Sequence, residues 1–101
     1  MATFMTTTRF EKDYALLDPS DKDRFKRTVK EQFVPDLIDL PRGGRFRPGL
    51  RVKGIQGASG ILEMTWAPDG RATFEFGPPE RGNEPHIIWR RVGTHDVFRS
   101  P

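Results

Sequence analysis

The 101-residue sequence contains no cysteine and only two histidines. The lack of thiols excludes disulfides and thiolate metal sites, and it is typical of proteins from a reducing compartment. With so few imidazoles as well, we expect no metal and no cofactor. No apolar run approaches the roughly 20 residues that a membrane span requires, and the polar stretch from Met1 to Arg9 does not resemble a signal peptide. We therefore expect a cytoplasmic protein with no membrane partner.

Charge is moderate in total but uneven in placement. The chain has 17 Lys and Arg against 14 Asp and Glu, a net charge of +3 and an isoelectric point near 9.7. Most arginines lie from position 42 onward, at Arg42, Arg45, Arg47, Arg51, Arg71, Arg81, Arg90, Arg91 and Arg99. Such asymmetry points to an anionic partner. The length predicts one domain, residues 1–101, around a small core.

The first half of the chain is predicted to be mainly helical. We expect an extended segment over Thr6 to Phe10 and a short helix over Glu11 to Leu17. A second helix should begin after Asp18, whose carboxylate can cap free backbone N–H groups. Pro35 should kink or break that helix. Its apolar residues recur every four positions and form one stripe: Phe25, Val29, Phe33 and Leu37.

The second half is predicted to be an antiparallel β-sheet, and with the N-terminal helices packed on one face the fold class is α+β. Four strand-like segments lie over Leu50–Ile55, Ile61–Trp66, Arg71–Phe76 and His86–Val92. A tight-turn signature, Pro-Asp-Gly at positions 68–70, separates the second and third segments. These two segments should therefore form a hairpin.

Alternation of side chains along the first three segments divides the sheet into two faces. The apolar face, which the helical stripe should cover, carries Leu50, Val52, Leu62, Met64, Trp66, Ala72, Phe74 and Phe76. The polar face carries Arg51, Lys53, Glu63, Thr65, Arg71, Thr73 and Glu75. Because no second amphipathic helix is available, we expect the polar face to stand open to solvent or to a ligand. An open face with several cations suits a nucleic-acid backbone.

The most informative stretch runs from Pro85 to Ser100. An apolar strand ends in Arg90 and Arg91, and a Gly-Thr-His-Asp turn follows, which places the imidazole of His95 at the end of the strand. Guanidinium groups hold phosphate oxygens, and imidazole can transfer protons near neutral pH. Because Arg90 and Arg91 are neighbours in a strand, we expect them to point to opposite faces, so that one of them joins the polar face.

Five segments in a fixed order carry a resemblance to a known family: Thr8–Tyr14, Arg47–Lys53, Gly60–Thr65, Gly70–Phe74 and Val92–Phe98. Their order and spacing, over nearly the whole chain, resemble the RelE/ParE superfamily of bacterial toxins from toxin-antitoxin pairs. The resemblance implies a small α/β fold with a helical pair on one face of an antiparallel sheet. Members of the RelE branch cleave mRNA in the ribosomal A site without a metal, whereas members of the ParE branch inhibit DNA gyrase. The implied partners are mRNA, the ribosome and a cognate antitoxin protein.

The resemblance also implies roles for individual residues. Arg71 matches an arginine that the family places on the third sheet strand, where it would hold the scissile phosphate. His95 falls where the ribonuclease branch has an arginine or histidine, and it would act as the general acid that protonates the leaving oxygen. Glu63 would act as the base on the ribose 2′-hydroxyl. The RNA would be bound by Arg51, Lys53, Arg91 and Phe98.

Two departures from the family pattern keep other functions open. Ile61–Trp66 carries no lysine or arginine, and the closing aromatic is Phe98, which can stack on a base but cannot donate a hydrogen bond. One alternative is a toxin-fold protein without nuclease activity that binds a partner such as gyrase. Another is a basic nucleic-acid-binding domain without toxicity. His95 could instead bond to Asp96, and the sheet cations could pair with the glutamates beside them.

Overall fold

The structure, a computed structural model, describes residues 2–101. Five strands form one sheet in the order β1-β5-β4-β3-β2, and helices pack against one face of it. The strands are β1 (Thr3–Thr6), β2 (Lys53–Ile55), β3 (Ala58–Ala67), β4 (Gly70–Gly77) and β5 (His86–Gly93). The helices are α1 (Thr8–Leu16), α2 (Pro19–Thr28) and α3 (Val34–Asp39). The predicted α+β class is confirmed, and no helix within residues 2–101 has the length and apolar character that crossing a bilayer requires.

The sheet is mixed rather than wholly antiparallel. Strands β2 to β5 pair antiparallel as predicted, but β1 lies parallel to β5. The expectation of an extended segment over Thr6 to Phe10 is wrong in position, because the strand ends at Thr6. The hydroxyl of Thr7 accepts a hydrogen bond from the Phe10 N–H, so Thr7 caps α1 and turns the chain into a helix.

The second helix begins as predicted but does not break at Pro35. Asp18 caps it by accepting a hydrogen bond of 2.8 Å from the N–H of Asp21. A π-helical turn over Val29–Phe33 then joins α2 directly to α3. In a regular α-helix the ring of Pro35 would clash with the carbonyl four residues earlier. The π turn inserts an extra residue and changes this spacing, so α2, the π turn and α3 form one helical rod.

The predicted apolar stripe covers one face of the sheet. Phe25, Phe33 and Leu37 are buried, and Val29 packs against them. Phe33 is fully buried at the centre. Its ring centroid lies 5.0 Å from that of Trp89, a separation at which aromatic pairs contribute beyond the area they bury. Further Phe33 ring contacts, each at 5.1 Å, are made with Phe46 and Phe74.

Two details of the apolar face differ from the prediction. The first sheet segment is shorter than Leu50–Ile55, because Pro48 starts a 3-10 turn that ends at Leu50. Arg51 then takes a left-handed conformation with φ of 49°, so the strand begins only at Lys53. In β4, Phe76 was expected on the covered apolar face, but it is 45% exposed, so the covered part of this strand ends at Phe74.

Gly70 gives a test of how the hairpin packs on the core. A Cβ at this position would lie 2.7 Å from ring carbons of Trp66, whereas a Cβ at Gly54 would meet nothing within 4 Å. We expect Gly70→Ala to lower the free energy of unfolding by about 1–3 kcal/mol, because the indole must shift within a packed core. Gly54→Ala should raise it by at most about 1 kcal/mol. Urea denaturation measures both, and equal midpoints for the two variants would contradict this packing.

Candidate functional site

The end of the β3–β4 hairpin meets the end of β5, and this junction holds a cluster of charged side chains. The hairpin is confirmed, with Ala67 paired to Gly70 across the turn. Arg71 lies opposite Gly93 in the neighbouring strand. The chain then enters a 3-10 helix over His95–Arg99, capped by Thr94. His95 is thereby brought back to the tip of the hairpin.

His95 is bound to an acid that the sequence analysis did not single out. Its Nδ1 lies 2.9 Å from Oδ1 of Asp69, the residue at the tip of the hairpin turn. This hydrogen bond, followed by the charges of Asp69 and Asp96, raises the pKa of His95 above 6.5, against an opposing effect of the nearby Arg71. The same bond lowers the pKa of Asp69 below 3.8. The pair therefore shifts His95 towards the imidazolium form, in which Nδ1 donates to Asp69 and Nε2 also carries a proton.

Both members of the pair are exposed to solvent. The side chains of His95 and Asp69 are 67% and 63% accessible, so salt screens their attraction. The second acid, Asp96, lies 3.7 Å from Nε2 of His95, beyond hydrogen-bond distance. The alternative in which His95 bonds to Asp96 is therefore not what the structure shows, because the hydrogen bond is made to Asp69. The turn signature at 68–70 indicated the hairpin. It did not indicate the contact between Asp69 and His95, because that contact depends on where the chain goes after β5.

Arg71 lies within electrostatic reach of this pair and keeps part of its guanidinium free. Its Nη1 donates to the backbone oxygens of Ala67, Pro68 and Gly70 at 2.9–3.3 Å. Within residues 2–101 its Nε and Nη2 form no hydrogen bond. The hairpin turn thus holds the guanidinium in place while leaving donors that could bind a phosphate oxygen.

Glu63 and Lys53 form a separate pair on the same face of the sheet. They are opposite one another in β3 and β2, with Nζ of Lys53 3.7 Å from the Glu63 carboxylate. The Glu63 side chain is only 12% accessible. In β3 it lies two residues before Thr65, the partner of Arg71, so the Cα atoms of Glu63 and Arg71 are about 8 Å apart by standard strand spacings. No hydrogen bond or ion pair within residues 2–101 joins Glu63 to His95.

Arg51 was predicted to lie on this face of the sheet, but the strand pairing does not place it there. Its left-handed backbone lies before β2 begins, so the alternation of the strand does not apply to it. Lys53, Glu63 and Arg71 do share a face, because each is placed by the pairing of β2, β3 and β4. The expected set of three cations on one sheet face is therefore reduced to Lys53 and Arg71.

The centre of the polar face is covered by the chain's own last residues, which contradicts the expectation of an open face. Thr73 is fully buried, and its hydroxyl donates to the carbonyl oxygen of Pro101 at 3.3 Å. The 3-10 helix turns the chain back over β4, and its Val97 is buried there. Phe98 follows and is half-buried, without a ring contact to another aromatic in residues 2–101. The sequence analysis missed this cover because only eight residues of the sequence follow β5, too few to suggest a packed layer.

Arg90 and Arg91 were expected to point to opposite faces of the sheet, but their side chains do not separate in this way. A bulge where β5 pairs with β4 breaks the alternation, so both guanidinium groups reach the covering residues. Arg90 donates to Pro101 and forms an ion pair of 2.7 Å with Glu75. Arg91 donates to Ser100 and pairs with Asp13 of α1 at 2.6 Å. Their charges are therefore balanced within the protein.

Within residues 2–101 no group of three or more potential metal ligands comes together. The second histidine, His86, is buried at the start of β5. Its Nδ1 lies 2.7 Å from the hydroxyl of Thr3 and ties β1 to the sheet.

Comparison with solved structures identifies the fold. YafQ from E. coli strain BL21(DE3) matches with a TM-score of 0.64 at 14% identity, over 97% of this chain and 98% of that one. A chain of the E. coli DinJ-YafQ toxin-antitoxin complex matches with a TM-score of 0.63 at 14% identity, over 95% of this chain and 94% of that one. A YoeB/ParE toxin from Agrobacterium tumefaciens matches with 0.59 at 15% identity, over 92% and 98%. No family model and no curated protein matches the sequence.

The chain thus has the fold of the RelE/ParE-superfamily toxins, and the resemblance predicted from the sequence is confirmed for the fold. Each of these matches spans more than nine tenths of both chains, so the likeness is to the whole fold rather than to one part of it.

The pair between His95 and Asp69 predicts a specific titration. Replacing Asp69 by asparagine should lower the pKa of His95, because the hydrogen bond to Asp69 is the largest cause of its rise. Asp96→Asn should have a smaller effect. The ring-proton resonances of His95, assigned with His95→Gln, report both changes in an NMR titration. An unchanged His95 titration in Asp69→Asn would mean that the pair does not form in solution.

The same pair makes stability depend on pH. Since the pKa of folded His95 is raised above 6.5, its stabilising effect is fully present below about that pH and is lost as the pH rises through the folded-state pKa. The lowered pKa of Asp69 acts in the opposite direction, because its contribution is present above 3.8 and is lost as the pH falls through the folded-state value. Thermal denaturation of the wild type and of Asp69→Asn, at pH values around 6.5 and around 3.8, measures both losses of stability. If the midpoint temperatures of the two proteins changed in parallel with pH, the pair would not contribute as described.

Proposed function

We propose that the protein is the toxin of a toxin-antitoxin pair and a metal-independent endoribonuclease that acts on ribosome-bound mRNA. The observation that carries the proposal is the imidazole of His95, whose pKa is raised by its hydrogen bond to Asp69 and which lies beside the partly free guanidinium of Arg71. This exposed acid and cation lie together on a RelE/ParE fold, and acid and cation are what cleavage of a phosphodiester requires.

The proposed reaction is an in-line attack of a ribose 2′-oxygen on the adjacent phosphorus. The bond from the 2′-oxygen to phosphorus forms as the bond to the 5′-oxygen breaks. His95 gives its Nε2 proton to the departing 5′-oxygen, and Asp69 holds the ring through Nδ1. Arg71 stabilises the added negative charge on the phosphorane-like transition state, which is where most of the rate gain should arise.

Glu63 is the proposed base that takes the proton from the 2′-hydroxyl. It lies on the same face as Arg71 at a separation that a bound nucleotide could bridge. Lys53 is largely exposed beside it and would contact the RNA backbone. Arg51, exposed two residues before β2, would extend that contact, and Phe98 would stack on a base. Arg91 would contribute less than the sequence suggests, because Asp13 already holds it.

The proposed partners are mRNA on the ribosome and a cognate antitoxin. The mRNA and ribosome follow from the resemblance to the RelE branch. The antitoxin is supported by the DinJ-YafQ structure, in which a protein of this fold is described as one half of a toxin-antitoxin complex. Such a target would place the protein in the cytoplasm.

A second candidate function is a toxin that binds a protein such as gyrase and cleaves nothing. The observation favouring it is that two of the three cations expected to bind RNA, Lys53 and Arg91, already have acidic partners. Growth arrest on expression, with cellular mRNA intact, would support this candidate. Expression that leaves growth untouched would instead support a nucleic-acid-binding domain without toxicity.

Cleavage of mRNA on purified ribosomes tests the proposal. We expect His95→Gln to reduce the cleavage rate about 100-fold or more, because general acid catalysis is lost. Arg71→Ala should reduce it by about the same factor through loss of charge stabilisation. Arg81→Ala is the matched control, since this exposed arginine lies in the loop before β5, at the opposite end of that strand from His95.

Primer extension on the mRNA reports the cut positions and rates for all four proteins. Equal rates for the wild type, His95→Gln and Arg71→Ala would remove the roles assigned to these residues. If Arg81→Ala reduced the cleavage rate as much as Arg71→Ala, the rate would depend on the overall positive charge of the protein and not on Arg71 at the candidate site.

A further inference from the structure

A polar cleft of about 330 Å³ lies between the helical rod and β3. Arg24 and Arg27 of α2 line it on the side of the rod, and Thr65 and Trp66 line it on the side of the strand. Small-molecule sites in proteins have volumes of about 300–1,000 Å³. The cleft is therefore large enough for a ligand of the size of a metabolite.

The two arginines of this cleft have no acidic partner. Arg47, Arg90 and Arg91 each form an ion pair with an acid at 2.6–2.9 Å. Arg24 and Arg27 form no hydrogen bond or ion pair with any residue in the range 2–101. Because they are three residues apart in one helix, their side chains are neighbours, and like charges at such a spacing repel each other. An anion bound between them would remove this repulsion.

The other polar groups of the cleft are mainly hydrogen-bond donors. Thr28 and Thr65 carry hydroxyls, and Gln32 carries an amide. Glu31 is the one acid that lines the cleft. A phosphate monoester has three strong acceptor oxygens and a charge of about −1.5 to −2 at neutral pH. Its charge and its acceptors therefore match two guanidinium groups surrounded by donors.

Trp66 supplies an unsatisfied donor at the same place. The residue lines the cleft although it is only 6% exposed. Its indole N–H is buried and has no acceptor within the part of the chain that the structure describes. Buried N–H groups are normally paired, so a ligand oxygen would satisfy a group that the protein leaves unpaired.

The positive region of the cleft is short, because an acid follows it on either side along the rod. Asp21 precedes Arg24 by three residues, and Glu31 follows Arg27 by four. These two acids are about 15 Å apart at the rise of an α-helix. Asp21 also lines a second cleft of about 260 Å³, which adjoins the first at Arg24. A nucleic-acid strand carries a charge at every nucleotide and would meet these acids, whereas a single phosphoryl group would not.

We infer that this cleft binds the phosphoryl group of a small molecule, either free phosphate or a phosphate monoester such as a nucleoside monophosphate. The phosphoryl oxygens accept hydrogen bonds from Arg24 and Arg27, and one of them accepts from the indole N–H of Trp66. None of these three residues belongs to the proposed catalytic group. The inference therefore does not depend on the proposed function.

The probes are inorganic phosphate and adenosine 5′-monophosphate, titrated separately into the ¹⁵N-labelled protein. Binding should shift the indole N–H resonance of Trp66, which the Trp66→Phe variant assigns. Arg24→Ala and Arg27→Ala should each weaken binding about tenfold, the equivalent of one charge-assisted contact. Lys30→Ala is the matched control, since it removes an exposed cation of the same rod that lines neither cleft. It should leave the affinity within about twofold.

The two probes also distinguish the two sources of the phosphoryl group. A higher affinity for adenosine 5′-monophosphate than for inorganic phosphate would support the inference and assign the site to a phosphate ester. An affinity for the ester no higher than for inorganic phosphate would support it and assign the site to free phosphate. Adenosine lacks the phosphoryl group and should leave the Trp66 resonance unchanged.

Several results would overturn the inference. One is a Trp66 resonance that neither probe shifts, or that adenosine shifts as much as its monophosphate does. Another is wild-type affinity in both arginine variants with unchanged near-ultraviolet circular dichroism. Equal weakening in Lys30→Ala and the arginine variants would mean that the probes respond to overall charge. A single-stranded hexauridine that shifts the Trp66 resonance where neither probe does would assign the cleft to RNA instead. None of these measurements requires RNA cleavage, so failure of the proposed function would leave them unaffected.

Discussion

The packing of Phe33 against Phe74 and Trp89 determines how the helical rod lies on the sheet. The three rings meet with centroids 5.0–5.4 Å apart, and Phe33 and Phe74 are fully buried. Removing a ring of this kind typically costs about 3–5 kcal/mol, a large part of the roughly 5–15 kcal/mol that stabilises a domain. Because this contact fixes which face of β3 and β4 is covered, it also assigns Lys53 and Arg71 to the other face.

The chemistry of the candidate site depends on where the chain goes after β5. Had it continued away from the sheet, the polar face would have been open, and His95 would have had no neighbour beyond its own turn. Instead the last residues fold back over Thr73 and bring His95 to Asp69 at the hairpin tip. The proposed active site therefore lies at one end of the sheet, where the tip of the β3–β4 hairpin meets the end of β5. Its exposure leaves space for RNA but also makes the His95–Asp69 pair sensitive to salt.

Much of the fold was predictable from local patterns, because local physical chemistry determines it. The Asp18 cap, the apolar stripe ending at Leu37 and the tight turn at 68–70 each depend on neighbours within a few residues, and each is confirmed. The parallel pairing of β1 was not predictable, because it depends on a partner more than 80 residues away. The same is true of the contacts of Arg91, whose partner Asp13 lies 78 residues away in sequence. The bulge at Arg90 breaks the alternation on which the face prediction relied.

The central claim is that His95 and Arg71 promote attack by a ribose 2′-hydroxyl on the neighbouring phosphate. The most direct test is to determine the chemical groups at the two cut ends of a ribosome-bound mRNA. A second mRNA, with a single 2′-deoxy nucleotide at the cut position, is tested in parallel. We predict a 2′,3′-cyclic phosphate and a 5′-hydroxyl on the unmodified mRNA, and no cut at the deoxy position. A 5′-phosphate end, or cleavage that continues at the deoxy nucleotide, would contradict the mechanism.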